Sequence, residues 1–133
     1  MIPIHSIQMA VRDYECDLQG VVNNAVYQNY LEHARHVFLK AQQLDFAALS
    51  RAGVNLVVVR AELDYKSPLT SGDEFIVSTR LTRNSRLKLA FHQTITRVSD
   101  QKLIVAAVII GAGVNQQGRP FLPEQLLPLL NEC

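Results

Sequence analysis

The spacing of apolar residues divides the chain into a helical stretch near its start and a strand-rich remainder. From Val26 to Ala41 apolar residues recur every three or four positions, which predicts an amphipathic helix with one broad buried face. Asn23 is a good N-cap for a helix that begins near Asn24. The predicted buried positions are Val26, Tyr27, Tyr30, Leu31, Ala34, Val37, Phe38 and Ala41, and the opposite face mostly carries Gln28, Asn29, Glu32, Arg35, His36 and Lys40.

Alternating or continuous apolar runs predict one strand before this helix and four after it. The first strand is predicted from Ile4 to Tyr14, and a short second helix from about Asp45 to Ala52, with Gly53 as its stop. The later strands are predicted at 54–65, 74–81, 86–98 and 102–114, followed by a short helix at 123–131 that is interrupted or ended near Pro128. This order favours an α+β domain in which an antiparallel sheet packs against the long helix.

Composition is that of an ordinary globular protein and narrows the choice of partners. The 133 residues suggest one domain over 1–133, and a net charge of +1 gives no general attraction to nucleic acid or membrane. The longest near-apolar run, 103–114, is shorter than the roughly 20 residues of a membrane span. The start of the chain lacks the basic and apolar regions of a signal peptide. Two cysteines, Cys16 and Cys133, do not resemble a disulfide framework, so we expect a reducing, cytoplasmic location.

Asp17 is the strongest candidate for chemistry, because it lies on a glycine-containing turn that leads into the long helix. A carboxylate can act as general base or nucleophile toward a carbonyl, and a helix N-terminus offers unpaired N–H groups to an oxyanion. The alternative is a turn residue that bonds its own backbone. Gly20 is expected to serve the turn by a positive φ or by a close approach to substrate. Asn24 is open between support of the cap and a place in the active site.

The other polar residues show weaker patterns. Glu32 stands three and four positions before Arg35 and His36, so a surface ion pair is its default interpretation. No His, Cys, Asp and Glu spacing is typical of a metal site, and neither a phosphate-binding glycine loop nor a nucleophile elbow is present. We therefore expect no metal and no cofactor.

The run 17–27 resembles a motif of the 4-hydroxybenzoyl-CoA thioesterase-like branch of the hotdog superfamily. The motif residues here are Asp17, Gly20, Val21, Val22 and Tyr27. The resemblance extends through 32–35, 62–68 and 72–73, and more weakly through 118–120. Within that branch, residues 21–27 together with His33, Arg35-His36 and Phe38-Leu39 resemble small single-hotdog acyl-ACP thioesterases of plastids and cyanobacteria, the type associated with methylketone formation.

The resemblance implies a single hotdog domain that hydrolyses fatty or β-keto fatty acyl thioesters of ACP or CoA. Asp17 would be base or nucleophile, and backbone N–H groups near Asn24 and Ala25 would bind the oxyanion. Val22 and Tyr27 would contact the substrate, whose acyl chain would lie between the helix and a neighbouring subunit. Many members carry His where this chain has Asn24. Catalysis here would therefore depend more on the carboxylate and the backbone donors. The Asn24 amide can still orient a water or the carbonyl.

The resemblance also bears on the assembly and on other polar residues. It implies a homo-oligomer, a dimer that we expect to pair into a tetramer. A catalytic Glu on the central helix occurs elsewhere in the superfamily, which leaves that role open for Glu32. A basic group around one hairpin is either a solvated strand face or a landing site for CoA phosphates or an acidic carrier protein. It consists of Arg80, Arg83, Arg86 and Lys88.

The alternatives in function are a hotdog dehydratase, which would need a His and a carboxylate, and a non-catalytic acyl-binding module.

Overall fold

The computed structural model of the chain describes residues 4–44 and 46–130, and its strands form one antiparallel sheet beside one long helix. The helices are α1 (Asn24–Ala41) and α2 (Phe46–Arg51). The strands are β1 (His5–Ala10), β2 (Asn55–Tyr65), β3 (Glu74–Arg83), β4 (Leu89–Arg97), β5 (Leu103–Val114) and β6 (Pro120–Phe121). Short 3₁₀ segments occupy Asp13–Glu15 and Glu124–Leu130.

The strand order across the sheet is β1-β3-β4-β5-β2, with β6 paired to β5. The strands β3, β4 and β5 follow one another as hairpins, whereas β1 and β2 are the outer strands of this order. β2 pairs with β5 over nearly its whole length, from Asn55 opposite Val114 to Tyr65 opposite Val105. One irregularity between Val58 and Arg60 shifts this register, as a β-bulge does.

The helix α1 forms where the apolar spacing predicts it and packs its buried face over β1 and β3. Asn23 is the N-cap: its Oδ1 accepts the backbone N–H of Ala25 at 2.9 Å. Leu31, Phe38 and Phe75 are completely buried between the helix and the sheet. Burying a side chain of that size contributes about 1.5–3 kcal/mol. This core fixes α1, and therefore its first turn, relative to the sheet.

Several predicted boundaries differ from those in the structure. β1 ends at Ala10, because the chain turns into the 3₁₀ segment that contains Tyr14. β3 continues to Arg83, and the turn follows it at 84–88, so β4 begins later than predicted. The terminal helix is a 3₁₀ helix in which Pro128 lies inside, and β6 was not predicted. The predicted Asp45 start of α2, the Asn131 end of the last helix and Cys133 lie outside the described residues.

The predicted faces of α1 need correction at three positions. Ala41, predicted to be buried, is exposed because it is the last residue of the helix, and Leu39, absent from the predicted buried face, is completely buried. Gln28, Glu32 and His36 are exposed as expected. Arg35, predicted for the exposed face, is buried, with 9% of its surface accessible. Its guanidinium is buried because Nη1 donates to Oε1 of Gln93 on β4 at 3.1 Å, an acceptor 58 positions along the chain that helical periodicity cannot reveal.

Candidate active site

The Asp17 segment is a tight hairpin-like turn closed by backbone hydrogen bonds. The Gly20 N–H donates to the Asp17 carbonyl at 3.0 Å, and the Asp17 N–H donates to the Val21 carbonyl at 2.8 Å. Gly20 has φ +80°, a conformation that residues with a side chain adopt at a cost. Cys16 and Val22 form an antiparallel bridge that joins the two arms of the turn. The spacing of Asp17 and Gly20 is therefore that of the first and last residues of a β-turn.

The Asp17 side chain supports this turn with one oxygen. Oδ1 accepts the Gln19 N–H at 2.8 Å and the Val21 N–H at the longer distance of 3.4 Å. Oδ2 accepts no hydrogen bond from any residue within 4–44 or 46–130, and the side chain is exposed. The turn role and a chemical role are thus compatible, because the oxygen that holds the turn is not the oxygen left available.

The first turn of α1 offers one backbone donor. The Ala25 N–H is engaged by the Asn23 side chain, and the Val26 N–H donates to the Asn23 carbonyl at 2.9 Å. The Asn24 N–H has no acceptor among the residues that the structure describes. Of the two predicted oxyanion donors, Ala25 is therefore occupied by the cap, and Asn24 is available.

A cavity of about 250 Å³ opens beside Asn24. Two of the predicted substrate contacts, Val22 and Tyr27, line it, together with Asn24 itself. The Tyr65 hydroxyl donates to the Asn24 carbonyl at 3.5 Å, and the rings of Tyr27 and Tyr65 lie 5.7 Å apart. The remaining lining residues are Val21, Lys66, Ser67 and Pro68. The cavity thus combines apolar walls with the polar start of the helix.

The Tyr27 hydroxyl fixes the wall of this cavity. It accepts the backbone N–H of Leu69 at 3.0 Å, and burial is the main cause that raises the pKa of this tyrosine. The Val22 N–H donates to the carbonyl of Leu69 at 2.9 Å. The segment around Leu69 therefore connects the helix to the Asp17 turn.

Arg97 anchors the same segment from the sheet, a role that the sequence analysis missed. Its Nη1 donates to the carbonyl of Pro68 at 3.1 Å, and its Nη2 lies 2.9 Å from Oδ2 of Asp100. This hydrogen bond is the main cause that lowers the pKa of Asp100 to about 2. Asp73 lies 3.6 Å from Nη1 of Arg97. The three-residue spacing of Arg97 and Asp100 at the end of β4 could have predicted their ion pair. It could not have predicted the hydrogen bond to Pro68, which is distant in the sequence.

The residues before Asp17 are held to the helix by Glu15. Its Oε1 accepts the Tyr30 hydroxyl at 2.7 Å and the Arg12 N–H at 2.8 Å. Burial, followed by this hydrogen bond, raises the pKa of Tyr30 well above its usual value. Burial and the neighbouring carboxylates raise the pKa of the Cys16 thiol, so that thiol is not activated as a nucleophile.

The basic hairpin lies at the opposite end of β3 from this site. Val21 forms a bridge with Thr70, which places the Asp17 turn near the start of β3 at Glu74. Arg83 lies at the other end of β3, about 30 Å away at the rise of a strand. Its Nε and Nη2 donate to the carbonyls of Ser85 and Arg86 and hold the turn. Within one protomer, the structure does not bring Arg83, Arg86 and Lys88 together with Asp17.

The described residues carry neither a metal-binding cluster nor a membrane-spanning helix. No group of three or more His, Cys, Asp and Glu within the described ranges could hold a metal ion. Among the same residues, no helix combines the length and the hydropathy that a transmembrane span needs.

Comparison with known proteins identifies the family. The thioesterase-like superfamily matches residues 11–130, and the chain belongs to that superfamily. The structure superimposes on Slr0204, a 1,4-dihydroxy-2-naphthoyl-CoA thioesterase from Synechocystis, with a TM-score of 0.89, 18% identity and 96% of each chain covered. The fold is therefore the predicted hotdog fold, with an antiparallel sheet against one long helix.

Two curated relatives carry more sequence similarity. The chloroplastic acyl-acyl carrier protein thioesterase ATL3 of Arabidopsis thaliana is 37% identical over 120 residues, which are 90% of this chain and 63% of ATL3. The long-chain acyl-CoA thioesterase FadM of Escherichia coli is 28% identical over 102 residues, 77% of this chain and 76% of FadM. The chain thus spans less than two thirds of the length of ATL3.

Proposed function

We propose that the protein hydrolyses acyl thioesters, with Asp17 as the reacting carboxylate and the Asn24 N–H as an oxyanion donor. The observation that carries the proposal is the division of labour in Asp17: Oδ1 holds the turn, and Oδ2 has no partner in the described structure. The partnerless Asn24 N–H and the cavity lined by Val22 and Tyr27 support it. Membership of the thioesterase-like superfamily agrees with this chemistry.

Two routes are open to this carboxylate. In the first, Asp17 takes a proton from water as the water oxygen bonds to the carbonyl carbon, the C–S bond breaks, and the thiolate takes up a proton. In the second, an Asp17 oxygen itself bonds to the carbonyl carbon and displaces the thiolate, and water then hydrolyses the mixed anhydride. In both, the carbonyl oxygen gains negative charge that the Asn24 N–H can stabilise.

The proposed substrates are fatty or β-keto fatty acyl groups on ACP or CoA. The name of ATL3 supports ACP as the carrier, and the name of FadM supports CoA. The basic hairpin can attract either an acidic carrier protein or CoA phosphates. Because Arg83 lies about 30 Å from Glu74 along β3, we assign this role to the hairpin of a neighbouring protomer.

We also propose a homo-oligomer, a dimer that pairs into a tetramer. β2 lies at one end of the strand order, and Val57, Val58 and Val59 on it are 41%, 52% and 50% exposed. Apolar edge strands of this length pair with other chains unless they are covered. We further propose a reducing location such as the cytoplasm, which the free thiol of Cys16 supports.

A hydrolysis screen tests the proposal. The purified protein is offered acyl-CoA and acyl-ACP thioesters of increasing chain length, and the released thiol is measured. We expect turnover of at least one series and its loss in Asp17→Asn. Binding of acyl thioesters without any thiol release would instead indicate an acyl-binding module, and hydration or dehydration of the acyl chain would indicate a dehydratase.

A further inference from the structure

Tyr65, the last residue of β2, places an aromatic ring on the wall of the cavity beside Asn24. It is 46% exposed, whereas Tyr27, which lines the same cavity, is 3% exposed. The two rings lie 5.7 Å apart at an angle of 54°, so the buried ring supports the exposed one. Such aromatic pairs contribute about 0.5–1.5 kcal/mol beyond the area that they bury. The hydroxyl of Tyr65 therefore enters the cavity from a ring that packing holds in place.

The two tyrosine hydroxyls of this cavity are bonded differently. The Tyr27 hydroxyl is held by the Leu69 N–H at 3.0 Å. The Tyr65 hydroxyl donates to the Asn24 carbonyl at 3.5 Å, a distance longer than that of an ordinary bond between a hydroxyl and an oxygen. In an α-helix that begins at Asn24, this carbonyl also accepts the backbone N–H four residues later. The hydroxyl of Tyr65 is therefore weakly held, and a stronger acceptor in the cavity can take its place.

The proposed reaction lacks a second hydrogen-bond donor for its oxyanion. Asn23 occupies the Ala25 N–H, which leaves the Asn24 N–H as the donor of the first turn, whereas oxyanion sites usually combine two donors. The N and O atoms of one residue lie about 3–4 Å apart at standard backbone dimensions. The Tyr65 hydroxyl is therefore within about 7 Å of the Asn24 nitrogen. An oxygen that accepts from both donors separates them by about 5–6 Å, which a small rotation of the exposed tyrosine provides.

We propose that Tyr65 is a catalytic residue whose hydroxyl donates to the thioester carbonyl oxygen together with the Asn24 N–H. This inference rests on the proposed hydrolysis and adds a residue to its site. The hydroxyl keeps its proton throughout. The carbonyl π electrons move onto the oxygen as the nucleophile bonds to carbon, and they return when the C–S bond breaks. Because a hydrogen bond to a charged oxygen is stronger than one to a neutral carbonyl, the hydroxyl stabilises the transition state more than the substrate.

The substitution Tyr65→Phe tests this role, because it keeps the ring that packs on Tyr27 and removes only the hydroxyl. We expect kcat to fall by about 10²-fold, as on loss of one oxyanion donor. The ratio kcat/KM should fall by the same factor, because the interaction is made mainly in the transition state. The melting temperature should not change, since the bond that is lost is long. The matched control is Tyr14→Phe, which removes the same hydroxyl from a 78% exposed tyrosine and should keep wild-type kcat.

A second measurement reports on the carbonyl itself and does not need turnover. An acyl-CoA with a ¹³C-labelled thioester carbonyl is bound to the Asp17→Asn variant, and difference infrared spectroscopy records the carbonyl stretch. Hydrogen bonds to the oxygen lower its stretching frequency, so we expect a decrease on binding. The decrease should be clearly smaller when Tyr65→Phe is added to Asp17→Asn. It should be unchanged when Tyr14→Phe is added instead. A purely structural role of Tyr65 would not shift this band.

Other results overturn the proposal. Wild-type kcat in folded Tyr65→Phe excludes the hydroxyl from the reaction. A higher KM at constant kcat makes Tyr65 a contact of the bound substrate without a catalytic role. A lower kcat with an unchanged carbonyl stretch assigns the hydroxyl to another step. If the wild type binds the thioester but releases no thiol, the proposed hydrolysis is refuted, and the infrared comparison decides separately whether Tyr65 bonds the carbonyl oxygen.

Discussion

The first turn of α1 and its middle both carry polar groups, but the structure holds them in opposite ways. Asn24 is exposed, its N–H has no partner in the described structure, and the neighbouring Asp17 turn is closed by the backbone. Arg35 and Gln93, by contrast, are buried and bound through their side chains. Groups held by the backbone can change without loss of the fold, whereas groups that bond each other in the core cannot. The first turn is therefore suited to chemistry, and the middle to stability.

The substitution Asp17→Asn should separate activity from stability most clearly. Asn keeps an Oδ1 that can accept the Gln19 and Val21 N–H groups, so the turn should persist. It removes the base or nucleophile, and we expect kcat to fall by about 10²-fold or more. The melting temperature should hardly change, because the residue is exposed. Turnover and thermal melts on the same preparation provide the measurement.

Asp17→Ala is the companion variant, because it removes the turn acceptor as well. It should lose activity to the same extent and also lose a little stability. Folded Asp17→Asn protein with wild-type turnover would remove Asp17 from the chemistry.

Gln93, on β4 against the middle of α1, is the opposite case, because Gln93→Leu should lower stability rather than activity. Gln93 accepts from Arg35 and donates to the Leu31 carbonyl and to Oγ1 of Thr79, both at 3.0 Å. Leucine removes these bonds from the buried Arg35 guanidinium and Thr79 hydroxyl, so we expect a loss of about 2–4 kcal/mol in the free energy of unfolding. Urea denaturation at fixed protein concentration measures it. Gln8→Leu, at an exposed position of β1, should stay within about 0.5 kcal/mol.

The N-cap joins the two regions, since Asn23 both begins the helix and occupies the Ala25 N–H. Asn23→Ala should cost about 1 kcal/mol of stability, and Asn23→Gly only a few tenths. Both variants release the Ala25 N–H beside the cavity. If one backbone donor is sufficient for the oxyanion, kcat should not change in either variant. A fall in kcat that is equal in both would show that the Asn23 side chain acts in the reaction itself.

The smallest effect is expected at the basic hairpin, which lies far from both regions. Arg86→Glu with Lys88→Glu leaves the Arg83 contacts that hold the turn intact. KM for acyl-ACP or acyl-CoA should rise about three- to tenfold with a weaker salt dependence, because steering charges mainly change encounter rates. A short pantetheine thioester, which lacks carrier and phosphates, serves as the control and should react as before. An equal response of all three substrates would make the hairpin an ordinary solvated surface.

The sequence predicts the elements well because their apolar periods are long and regular, as in α1 and β3. It misplaces Arg35 because the partner that buries it, Gln93, lies on a distant strand, and periodicity reports only which positions share a face. The Asp17 turn could be predicted from its local glycine spacing. The distance between that turn and Arg83 could not, because charge clustering along the chain does not say at which end of a sheet a hairpin lies.

The strand order also has a consequence for how the chain reaches its fold. β1 and β2 are made early, but their partners β3 and β5 come later in the chain. β2 has to wait until residues 103–114 have been synthesised before its hydrogen bonds can form. The consecutive hairpins β3, β4 and β5 need only short loops to close, so they can assemble first. We therefore expect β2 to join the sheet last, with its valine run Val57–Val59 exposed to aggregation during synthesis.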